Sequence, residues 1–138
     1  YDLIELLQTY AVSACINKSN ALTVNALEVA LENMKKSLDN GDIYHCTRWD
    51  QKFHELLVSY SGNKRLETIY EQLDCQQMLF ISTILDDMER AQNSYKEHSA
   101  ILDAIKAKDS ESAHDCIRQH YYHIKQYYIN KLLSRIHI

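Results

Sequence analysis

Trp49-Asp50-Gln51-Lys52-Phe53-His54-Glu55-Leu56-Leu57 decides how this chain folds. Trp49, Asp50, Phe53, His54 and Leu57 recur at the spacings of one face of an α-helix, not at the alternation of a strand. Asp50 and His54 are four positions apart, so a helix stacks them one turn from each other. A carboxylate and an imidazole therefore share a stripe with a tryptophan, a phenylalanine and a leucine. That stripe is the side a helix buries.

Both flanks of the stretch carry stop signals. Asp39-Asn40-Gly41-Asp42 lies upstream, where glycine suits a left-handed cap and Asp42 suits the start of the next helix. Ser61-Gly62-Asn63 lies downstream. The spacing predicts a helix over 43–60. Helices are predicted over about 2–16, with Leu3, Leu6, Leu7, Tyr10 and Ala14 inward, and about 23–38, with Val24, Leu27, Leu31, Met34 and Leu38 inward. A long stretch over about 64–90 should break internally, and its stripe continues through Met78 to Leu85. After an interruption at Ala91-Gln92-Asn93-Ser94, a short helix is expected over about 95–107. A last one, capped by Asp109 or Ser110, runs to about Ile136. The fold class is all-α: an antiparallel bundle of six to seven helices forming one domain over 1–138.

Composition agrees. With no proline and two glycines among 138 residues, the chain lacks the turn residues a β-rich fold needs. The net charge of −4 with scattered lysine and arginine makes it a poor nucleic-acid binder by itself. No apolar run reaches spanning length, so no membrane role is expected. Four dispersed cysteines without a Cys-x-x-Cys read as reduced thiols, which places the protein in the cytoplasm. The chain starts at Tyr1 without methionine, and an upstream domain is expected.

His98 and His120 fall on the apolar stripes of two further helices. One carboxylate and three imidazoles converging on a core form a transition-metal donor set with coordination positions to spare. Burying them without partners is expensive, and a bound metal is the simplest compensation. His45, His114 and His137 fall on polar faces or at the terminus, and His123 reads as a rim residue. A ferritin-like dinuclear site would need Glu-x-x-His from two helices, and only Glu111-Ser112-Ala113-His114 has that spacing. There is no glycine-rich phosphate loop and no local signature of a Ser/His or Cys/His nucleophile.

Asp50-Gln51-Lys52-Phe53-His54-Glu55-Leu56-Leu57, followed by Ser61-Gly62-Asn63-Lys64-Arg65-Leu66, resembles the D-x-x-F-H-x-x-L…S-G-N-x-x-L signature of the FCD family. Members are C-terminal effector-binding domains of FadR-subfamily GntR transcription regulators. Glu97-His98-Ser99-Ala100-Ile101-Leu102-Asp103-Ala104-Ile105, with Asp109 and Ala113, is similar to a second family segment, and His120 falls where its last histidine does. The resemblance implies a divalent metal on Asp50, His54, His98 and His120: zinc first, with nickel, iron or manganese as alternatives. It implies a small carboxylate or hydroxy-acid effector over that metal. It also implies a homodimer, and DNA contacts made through an attached N-terminal winged helix-turn-helix domain.

One departure concerns the effector. Many members carry Glu-x-Arg in the first helix, where the arginine clamps a carboxylate. Here Glu5-Leu6-Leu7 puts leucine in that place, and Arg48 and Arg118 point away from the metal stripe. Ser94 and Tyr10 are the polar candidates for the pocket, with helix capping and core packing as their respective alternative roles. The rival reading is a metal-dependent enzyme acting on a small metabolite, because open metal positions also serve catalysis.

Overall fold

The structure is a computed structural model, and it describes residues 1–81 and 87–136. Among these residues there are six helices and no strand: α1 (Asp2–Lys18), α2 (Ala21–Asp39), α3 (Ile43–Tyr60), α4 (Lys64–Ile81), α5 (Met88–Lys106) and α6 (Ser110–Ile136). The fold is the expected antiparallel all-α bundle. α3 packs on α1, α2, α4 and α5, while α5 packs on α1, α2, α3 and α6. The core runs along these seams, through Val12, Leu27, Met34, Phe53, Leu57, Ile101, Ile105 and Ile117.

Local chemistry sets most boundaries. Asn20 caps α2 in a reciprocal capping box with Thr23. Asp42 accepts from the His45 N–H at 3.0 Å to open α3, and Asp109 accepts from the Ser112 N–H at 3.1 Å to open α6. Gly41 and Gly62 both adopt positive φ, at 69° and 73°, as the stop signals require. Gly62 is further constrained. Lys18 of α1 donates to the Ser61 carbonyl at 3.0 Å, and its ammonium would lie 2.5 Å from a Cβ at Gly62. Gly62→Ala is therefore expected to cost at least about 1–2 kcal/mol, from the left-handed backbone alone. A urea midpoint unchanged from wild type would show that the turn relaxes freely.

Two expectations need correction. The first is the phase of α1. Its buried side is Ile4, Gln8, Ala11, Val12, Cys15 and Ile16, while Leu3 and Leu6 are exposed, and Tyr10 is 54% exposed. The helix is apolar on two sides, and the inward side is the one whose small residues, Ala11 and Cys15, permit close helix approach. Of the expected stripe Leu7 does pack against the core, whereas Leu3, Leu6 and Tyr10 lie on the other side.

The second correction is the start of α5. Ala91-Gln92-Asn93-Ser94 does not interrupt a helix. It lies inside the first turns of α5, which begins after Asp87, whose carboxylate accepts from the Arg90 N–H at 3.0 Å. A true cap at Asp87, seven residues before Ser94, outweighs the modest helix propensity of Asn and Ser. The long stretch is interrupted at Asp87, whose extended backbone stands outside any helix as the α5 cap. The part of its expected stripe over 82–85 lies outside the described residues.

All four cysteines are free. Burial pushes the thiol of Cys15 up to about 11, and that of Cys46, with added repulsion from Asp50 and Asp42, up to about 12. Both therefore stay protonated at neutral pH.

Candidate metal centre

The packing brings His54, His98 and His120 together from α3, α5 and α6. Each offers a ring nitrogen, and the three nitrogens lie within 4.8 Å of one another. His98 and His120 are fully buried and His54 nearly so. Phe53 forms one wall, its ring centroid 4.9 Å from that of His98 and 6.0 Å from that of His54.

The outward nitrogens decide the tautomers. His98 Nδ1 lies 2.6 Å from the Ser94 carbonyl oxygen, which only accepts, so Nδ1 carries the proton. His120 Nδ1 donates to Glu97 Oε1 at 2.7 Å, and His54 Nδ1 donates to Gln8 Oε1 at 3.3 Å. In the neutral rings all three Nε2 atoms are thereby left as lone pairs. His54 Nε2 and His98 Nε2 face each other at 2.8 Å, and His120 Nε2 is buried without a hydrogen-bond partner. Lone pairs facing each other repel in a desolvated site, and a cation among them relieves the repulsion.

Asp50 completes the set from the cavity side. Its Oδ1 lies 3.2 Å from His98 Nε2 and 3.5 Å from His54 Nε2, and its side chain is 28% exposed. Its Oδ2 accepts from Ser94 Oγ at 2.7 Å. Burial works against the Asp50 charge, but His98 and His54 together hold its carboxyl well below the usual range. Burial lowers His54 and, more strongly, His120, which falls to about 3 despite its bond to Glu97. His98 is raised, because Asp50 and the Ser94 carbonyl outweigh its burial. The neutral imidazoles of His54 and His120 beside an ionised carboxylate are protonation states a divalent metal requires, and on His98 the metal would take the place of the proton that Asp50 favours. The residues present thus fit a metal ion.

Glu97 is the hub behind the cluster. Beyond His120 it accepts from His123 Nδ1 at 3.0 Å and from two Arg90 nitrogens at 2.6 and 3.2 Å. Burial opposes its charge, yet the bonds from His120 and Arg90 bring its carboxyl down to about 2.

A cavity of about 130 Å³ opens over the cluster, walled by α3, α4, α5 and α6 and by Tyr1 ahead of α1; Asp50, His54, Asp74, Arg90, His120 and Tyr121 carry its polar chemistry. An apolar cavity of similar size admits a benzene-sized molecule, so this one suits a ligand of roughly six heavy atoms.

Asp50, His54, His98 and His120 are thus where the sequence reading put them, inward on three helices. Ser94 lines the cavity, but within α5 rather than at its cap: its hydroxyl orients Asp50 and its carbonyl orients His98. Tyr10 is on the outer side of α1, away from the cavity, and Gln8 is the polar residue α1 sends inward. His123 is the expected rim residue, 48% exposed. Arg48 and Arg118 are exposed, and His137 lies outside the described residues. Sequence reasoning missed Arg90, Asp74 and the bridging role of Glu97. The signal for Arg90 was its spacing of four from Ser94 and eight from His98, once α5 is started at Met88.

A helical bundle with a buried polar cluster under a small cavity is built to hold a small molecule, and comparison with known proteins gives the class. The chain matches the FCD domain family over residues 1–123 and belongs to it. It is therefore a regulatory, ligand-sensing domain of the kind found in GntR-type transcription regulators. It is 31% identical over 120 residues to the uncharacterized HTH-type transcriptional regulator YdhC of Bacillus subtilis, covering 85% of this chain and 53% of that one. It is 31% identical over 99 residues to the HTH-type transcriptional repressor NanR of Escherichia coli K12, covering 70% of this chain and 37% of that one. The chain thus spans about half or less of the length of these relatives. Among solved structures, E. coli McbR/YncC superposes with a TM-score of 0.80 at 18% identity, over 97% of this chain and 66% of that one, which is a likeness of fold. These relatives are transcription regulators and not enzymes. No described helix is long and apolar enough to cross a membrane.

Proposed function

We propose that this chain is the effector-binding and dimerisation domain of a FadR-subfamily GntR regulator of the cytoplasm, and that it senses a small acid through a bound divalent metal. Asp50, His54, His98 and His120 hold the metal, with zinc the first choice for three imidazoles and one carboxylate, and nickel, iron or manganese as alternatives. The observation that carries this reading is the set of three buried Nε2 lone pairs, each fixed by a donor bond on the other side of its ring. When bound, the metal supplies a Lewis-acidic anchor for the carboxylate and hydroxyl oxygens of the effector.

The remaining work belongs to the chain. Ser94 Oγ keeps Asp50 turned toward the histidines. Gln8, the Ser94 carbonyl and Glu97 fix the three tautomers. Phe53, packed against His54 and His98, excludes water from the rear of the cluster. Glu97→Gln removes the anionic acceptor behind His120, and zinc affinity is expected to fall about 10–100-fold. Competition with a chromogenic chelator measures this, and an unchanged affinity would show that Glu97 only pairs with Arg90.

An effector in the cavity touches α3, α4, α5 and α6, so its occupancy biases their packing. That bias reaches DNA through a partner copy and an attached winged-helix domain as a coupling free energy. The exposed Leu3 and Leu6 of α1 and Ile129, Leu132 and Leu133 of α6 are apolar surface of the kind a second copy covers. Calorimetry of glycolate and lactate against zinc-loaded and zinc-free protein tests the central step. Binding is expected only with zinc. Equal binding without it would place the effector away from the histidines.

A further inference from the structure

Asp74 of α4 is a buried carboxylate that the metal cluster does not explain. It is 8% exposed and lines the cavity from α4. Its one hydrogen bond among the described residues comes from the Gln51 amide at 2.7 Å, and no described lysine, arginine or histidine pairs with it. The one lysine or arginine among the described residues of the cavity wall, Arg90, spends two of its N–H donors on Glu97. The other charged groups facing the cavity are Asp50, committed to His54, His98 and Ser94, and Asp87, committed to the α5 cap. A carboxylate this buried calls for a positive or strongly donating partner. Gln51 is neutral, and its position next to Asp50 keeps it on the α3 wall.

We propose that the missing partner is part of the effector: Asp74 receives an ammonium group carried at the end of the ligand remote from its carboxylate. The ligand is then a short ω-amino acid, its carboxylate toward the histidine cluster and its amine toward α4. An amine adjacent to the carboxylate would be drawn to the metal in its unprotonated form, so the two groups must be separated along the chain. The cavity of about 130 Å³ restricts that chain to a few carbons. This inference rests on the reading of the cavity as an acid site over a metal, and it adds the second pole.

The test uses three probes that differ in one group: 4-aminobutyrate, 4-hydroxybutyrate and butyrate, titrated calorimetrically into the zinc-loaded protein. A charge-assisted hydrogen bond predicts that the amine binds about tenfold or more tighter than either twin. Asp74→Asn should retain the full zinc content of wild type while the preference for the amine disappears. Equal binding of all three probes overturns the ammonium assignment and leaves the acid site standing. Binding of none of them overturns the acid reading itself and this inference with it. Loss of zinc from a folded Asp74→Asn protein places Asp74 in the metal set, which also overturns the proposal. The wild-type comparison stands even if the variant does not fold.

Discussion

Chelation of the metal is expected to lower the melting temperature of this protein by about 10 °C or more. A site that binds the native state alone contributes about 4 kcal/mol when free metal stands at 1,000 times its Kd. Each kcal/mol moves the midpoint of a domain this size by about 2–4 °C or somewhat more. The ligands come from α3, α5 and α6, so the ion closes chain segments far apart in sequence, and none of them holds it in the unfolded chain. Zinc added back should restore the midpoint. A melting curve indifferent to chelator, with the metal demonstrably gone, would mean that the bundle is stable without the tie.

Phe53→Ala is the substitution expected to damage the fold most. The ring is fully buried between α3 and α5, and it packs edge-on against both His54 and His98. Truncating a buried phenylalanine costs about 3–5 kcal/mol through lost transfer energy and the cavity left behind. That is a large share of the roughly 5–15 kcal/mol that holds a domain together. The loss also frees the two rings to rotate, so the variant should bind zinc more weakly than wild type. Urea denaturation with and without zinc measures both effects. A loss under about 1 kcal/mol would contradict the packing described for this residue.

The stretch around Asp50 and His54 was legible because one helix carries both residues and its period is strict. His98 and His120 were legible for the same reason, each on a helix with a clear apolar stripe. α1 was not, because Leu3, Leu6 and Tyr10 look more like core than Ile4, Gln8 and Ala11 do, and only packing shows which side is covered. Gln8 could not be found from sequence, since a glutamine on a mixed stripe has no spacing signature. Ser94 was placed on the right face but given the wrong start of helix, because Asp87 was not recognised as the cap. Arg90 followed Asp87 into that error. Asp74 sits on α4 among polar neighbours, and its burial comes from contacts with α3 that no local pattern encodes.

The most direct test of the account is the metal content of purified protein, measured by elemental analysis for wild type, His98→Ala and His123→Ala. His98 is fully buried with its Nε2 in the cluster, whereas His123 touches only the rim through Glu97. About one metal ion per chain is expected in wild type and in His123→Ala, and its loss in His98→Ala. Full metal content in His98→Ala, or its loss in His123→Ala alone, would contradict the assignment of the centre.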